Sequence, residues 1–133
     1  MRYEDLQGPP PVVAPLEHAV GPATFRLRAP TPRDIELATF DARESGAQHT
    51  TALARTVLYV LVRRCLLGWS GVPLGVLNDP RVTDDQAAEP LTYSRAAVEP
   101  LLTAQPDWER SLADFLAERI VERADAARAT EKN

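Results

Sequence analysis

The sequence predicts a mainly α protein: a compact bundle of about four helices with a short N-terminal strand or β-hairpin and a long central loop. Three observations carry this. Apolar residues recur at helical spacing in successive segments between residues 32 and 120. Two of those segments open on a Thr or Ser placed to cap a helix, and a stretch rich in Gly, Pro, Asp and Asn separates them at residues 69–92. With 133 residues the chain has the length of one domain with one core. Its expected organisation is a Pro-rich extended arm over residues 1–22, a helical domain over 23–122, and a charged, fraying tail over 123–133.

In chain order, Pro9-Pro10-Pro11, Pro15 and Pro22 remove donors and restrict the residues before them, so the arm is extended. Ala23-Thr24-Phe25-Arg26-Leu27-Arg28 alternates with period two and predicts a strand, bounded by Gly21-Pro22 and Pro30. Its nearest candidate partner is the Val12-Val13 region, returning through a turn at Glu17 to Gly21. Thr31-Pro32-Arg33-Asp34 is a helix start: Thr31 as N-cap, Pro32 in the first helical position, and Asp34 at the positive end. That helix runs from Pro32 to Glu44 and stops at Ser45-Gly46. Ile35, Ala38 and Ala42 form its stripe, widened by Leu37 and Phe40.

The spacing predicts a second helix from His49 to Leu67, closed by Gly68. It is the most apolar element, with Leu53, Val57, Val60, Leu61 and Leu67 on one face and Leu58, Val62 and Leu66 on another, which suits the centre of a bundle. The stretch from Trp69 to Thr92 reads as a loop of functional length. Ser94 caps a third helix with Ala97, Val98, Leu101 and Leu102 on its apolar face, and Pro100 should kink or shorten it. Gln105-Pro106-Asp107 opens the last helix, whose stripe is Trp108, Leu112, Phe115, Leu116 and Ile120.

Composition narrows the function classes. Acidic residues outnumber basic ones, 19 to 15, and the arginines are scattered, so the concentrated footprint of a nucleic-acid binder is missing. The run Val57 to Val62 is stopped by Arg63-Arg64, far short of the roughly 20 apolar residues of a membrane span. The N-terminus has no apolar core of a signal peptide, which makes the cytoplasm the expected compartment. Cys65 is the single cysteine and reads as a small hydrophobe.

Candidate chemistry is sparse. His18 and His49 share no metal-binding spacing, and Asp79, Asp84 and Asp85 lack the oxygen ladder of a calcium loop. Ser94 and Ser111 lie near acids, as helix caps and surface serines do, and no phosphate-binding or nucleophile-elbow motif occurs. The expectation is therefore a protein without catalysis, metal or cofactor. The helices meeting at Ser45-Gly46 could suggest a helix-turn-helix. The second of them, however, presents Val, Leu and Tyr where a recognition helix presents base-reading side chains. Trp69, following a predicted helix end, either seals the edge of the core or offers an aromatic anchor to a partner.

The order of these features carries a resemblance. Phe25-Arg26-Leu27-Arg28-Ala29-Pro30-Thr31 leads into a helix, and a long apolar helix ends in Trp69-Ser70-Gly71. A variable loop follows, then Leu91-Thr92-Tyr93-Ser94, the paired Leu101-Leu102, Pro106 and a final helix. From Phe25 to Ile120 this order resembles the phage tail assembly chaperones. The resemblance implies a protein that binds the tape measure protein, keeps it soluble and helps the tail tube protein polymerise around it, in the host cytoplasm. It supplies no catalytic residues. Trp69, Tyr93, Leu101, Leu102 and Trp108 are the candidate partner-binding residues, and self-association is left open. The alternative class is a structural component of a phage or tail-like particle, such as a head–tail connector subunit.

Overall fold

The computed structural model describes residues 15–46 and 50–131. In chain order these form β1 (Leu16–Val20), β2 (Ala23–Leu27), α1 (Pro32–Glu44), α2 (Thr50–Cys65), β3 (Leu66–Ser70), a 3₁₀ turn at Leu74–Leu77, α3 (Arg95–Ala104) and α4 (Pro106–Glu131). The fold is mixed: four helices and a three-stranded antiparallel sheet in the order β1-β2-β3. This corrects the mainly α expectation. The sheet is no appendage, because its central strand supplies Ala23, Phe25 and Leu27 to the middle of the core.

The hairpin forms because Gly21, at φ +56°, takes the left-handed turn conformation that two-residue connections need. Leu16 then pairs with Leu27 and Val20 with Ala23. The partner of β2 is thus Leu16–Val20; Val12-Val13 lie outside the described residues. Phe25 and Leu27 face inward while Arg26 is exposed, so the predicted alternation is present in β2.

β3 is the element absent from the sequence-based expectation, which carries the second helix through to Leu67 and closes it with Gly68. In the structure the helix ends at Cys65 and the chain enters β3 with no intervening residue. No breaker announces the change, and two leucines continue a helical pattern as readily as they start a strand. Leu27 pairs with Leu66 but Arg26 with Gly68, which makes Leu67 the extra residue of a bulge and leaves it 45% exposed. Beyond β3, Gly71 stands at φ +73°, where an added Cβ would lie 2.4 Å from the Pro22 carbonyl oxygen, so only glycine fits against the hairpin turn.

The stretch after β3 is stapled to the body of the molecule. Leu91 N–H donates to Val72 O at 2.7 Å, Leu74 N–H to Glu89 O at 2.8 Å, and the Gln105 side-chain amide to Val76 O at 2.8 Å. Ser94 caps α3 by accepting from Ala97 N–H. α3 continues past Pro100 to Ala104. The carbonyl deprived of its donor belongs to the exposed Ala96, where water can satisfy it.

Thr31 and Asp34 form the reciprocal capping box that opens α1. Asp34 is also the one buried charged residue of the described core, at 4% exposure. Its carboxylate accepts from the Thr31 backbone and hydroxyl, from the Arg28 guanidinium and, at 3.0 Å, from Arg64 Nε. These bonds tie the β2–α1 connection to the end of α2. The Arg28 guanidinium, ahead of the opposing cost of burial, holds the Asp34 carboxyl well below the usual carboxylate range.

α1 buries Ala38 and Ala42 against α2. Phe40, two residues and about 200° round the helix from Ala38, is 61% exposed and does not widen the buried stripe. α4 is 26 residues long and helical to Glu131, including the segment from Arg123 where fraying is expected, with residues 121–129 exposed.

Candidate functional site

Two apolar regions compete for a binding role. The first contains all five candidate partner-binding residues. Around the fully buried Phe25, the ring of Trp69 packs edge-on at 6.1 Å and that of Trp108 at 6.0 Å, while Tyr93 meets Trp69 at 4.9 Å. Trp69 Nε1–H donates to Leu91 O at 2.8 Å and Tyr93 Oη to Leu66 O at 3.3 Å, so both polar handles are satisfied within the chain. Leu101 and Leu102 show no exposed surface, and Trp69 shows 8%. The structure thus brings Trp69, Tyr93, Trp108, Leu101 and Leu102 into one core. There Trp69 seals the sheet against α3 and the loop before it, while Tyr93 and Trp108 are half-buried.

The second region is a groove on the helical side. α1 and α4 both pack on α2, and between them lies an open apolar channel of about 450 Å³. Its floor is Leu53, Ala54, Val57, Leu58 and Leu61 of α2; its walls are Ile35 and Thr39 of α1 and Ala117, Ile120 and Val121 of α4. Thr39 is its one side chain with a polar atom, and that hydroxyl donates back to Ile35 O at 2.7 Å. Val121 is 57% exposed at the rim. The sequence assigns α2 to the centre of a bundle. In the structure its N-terminal half has α1 and α4 beside it and no other described residue over the space between, so Leu53, Val57 and Leu58 are only half-buried. Apolar periodicity marks these residues; it cannot tell a covered face from an uncovered one.

Where the groove meets Leu58 a second cleft begins, about 440 Å³ in volume and lined by Arg55, Leu58 and Tyr59 of α2 and Arg110, Ala113 and Asp114 of α4. Arg55 and Arg110 make no ion pair with any described residue, whereas Arg63, about two turns further along α2, bonds to both Glu99 and Glu109. That pair of carboxylates anchors α2 to α3 and α4.

The remaining reactive side chains have structural surroundings. His18 stacks on Phe115 at 4.5 Å and shares a 2.9 Å hydrogen bond with Ser111, fastening β1 to α4; His49 lies outside the described residues. Cys65 is fully buried, and burial pushes its thiol up to about 11. Asp79 pairs with Arg81 in the loop. Among the described residues no three His, Cys, Asp or Glu side chains converge as metal ligands, and no helix is long and apolar enough to cross a membrane. No protein-family model, curated protein or solved structure matches this chain.

Proposed function

We propose that this chain is a non-catalytic assembly chaperone of phage tails, which holds an amphipathic helical segment of a tape measure protein in the groove between α1, α2 and α4. The observation that carries the proposal is the groove itself. It is an apolar channel of about 450 Å³, floored by Val57 and Leu58 and left uncovered by the chain's own described residues. Amphipathic helices dock into such channels by laying residues of one face between two helices. Uncovered apolar surface of this kind is a recognised mark of a binding site in a soluble domain. The order of motifs from Phe25 to Ile120 supplies the link to tail assembly, and the host cytoplasm is where such a protein works.

Co-expression with the tape measure protein of the same genome tests it. The client should stay soluble and co-purify with the wild-type chain, and Val57→Asp or Val121→Asp should abolish both effects while the variants remain folded by circular dichroism. A client that co-purifies equally well with the Asp variants would remove the groove from the mechanism. Recovery of the chain from purified particles at ring stoichiometry would instead assign it to the structural components of the tail.

A further inference from the structure

We infer that the helix taken up by the groove is an acidic one, and that Arg55 and Arg110 read a carboxylate on it; this rests on the groove being the binding site. The two arginines line the cleft that adjoins the groove at Leu58, one from α2 and one from α4. The chain carries a net charge of −4, yet two arginines and one carboxylate, Asp114, line this cleft. Arg110 also borders a cleft with Asp107, Asp114 and Glu118, and Glu118 and Glu122 flank the far rim of the groove at Ala117 and Val121. Neither guanidinium has an ion-pair or hydrogen-bond partner among the described residues. Both arginines are exposed, whereas Arg28 and Arg64 are engaged with Asp34, Arg63 with Glu99 and Glu109, and Arg119 with Glu122.

Two arginines that no described residue engages, beside an apolar channel, complement a ligand that offers an apolar stripe and an anion. A guanidinium binds a carboxylate through two parallel N–H donors, which adds orientation to attraction. Arg110 and Ala117 are seven residues apart on α4, about 10 Å along its axis. The carboxylate should therefore lie about two turns from the apolar anchors of the bound helix. A charge at that distance sets the register in which the stripe enters, which an apolar channel by itself leaves loose.

Synthetic amphipathic peptides of about 20 residues test this, each with leucines at i, i+3, i+4 and i+7 and with Glu, Gln or Lys on both flanks. Affinities are read by fluorescence anisotropy. The Glu-flanked peptide should bind the wild-type chain about tenfold more tightly than the Gln-flanked one. The R55Q/R110Q chain should bind the Glu peptide no better than the Gln peptide, and R55E/R110E should prefer the Lys peptide. Equal affinity for Glu and Gln peptides, or a preference that survives R55Q/R110Q, overturns the arginine assignment while leaving the groove in place. Binding of none of the peptides, or binding unaffected by Val57→Asp, overturns the groove reading together with it. A dimer detected by light scattering and dissociated by Val57→Asp would give the groove to a second copy and also overturn the proposal.

Discussion

The aromatic core on the sheet side and the groove on the helical side are built from the same kinds of residue, yet one is closed and the other open. Around Phe25, strands, loop and two helices converge, so Trp69, Leu101 and Leu102 are covered on every side. Around Val57, among the described residues, only α1 and α4 approach α2, and they leave a gap between them. The difference lies in the number of elements available, not in side-chain chemistry. Buried apolar area in the first region stabilises the fold, while in the second the described residues leave apolar area half-buried.

The sharpest way to break this contrast is to remove a side chain from the closed region. Trp69→Ala deletes a buried ring and its hydrogen bond to Leu91 O, and should cost about 3–5 kcal/mol in urea unfolding. A variant that stays as stable as the wild type would show that Trp69 is not part of the core. Asp34→Ala comes next, at about 2–3 kcal/mol, below the usual cost of breaking a buried pair because Arg28 and Arg64 are partly exposed and regain water. Asp34 also predicts a pH dependence. Its folded-state carboxyl lies below the ordinary value of 3.8, so its contribution is full above that value and is lost as the pH falls through it toward the lower folded-state value. Stability measured from pH 6 down to pH 2 should fall less steeply in Asp34→Ala than in the wild type.

In the groove the expected cost is small. Val121→Asp, at a position already 57% exposed, should change stability by no more than about 0.5 kcal/mol. Its effect should appear in client binding. A large loss of stability there would mean that the groove belongs to the core after all.

Much of the architecture was legible from local signals. Thr31-Pro32 and Ser94 mark helix starts because a capping hydroxyl and a missing N–H act within one turn. Phe25 and Leu27 mark a strand because alternation is a property of the strand itself. β3 was not legible, since Leu66-Leu67 is compatible with helix, and it was the edge of β2, remote in sequence, that made it a strand. The candidate site was legible only as a set of apolar positions. Trp69, Tyr93 and Trp108 drew attention as rare aromatics, but the structure packs them around Phe25. Leu53 and Val57 stood out only as apolar positions of the second helix and Val121 not at all, because apolar residues at helical spacing look alike whether covered or not.

By itself, then, the sequence determined where the helices start, which faces are apolar and which local turn chemistry is required, because these depend on neighbours within a few residues. Tertiary structure alone decided that a three-stranded sheet shares the core. It also decided that the aromatics are enclosed, that α2 is left half-covered, and that Arg55 and Arg110, 55 positions apart by their numbering, line one cleft. Each of those outcomes depends on how many elements reach a given face, which is fixed only when distant segments pack together.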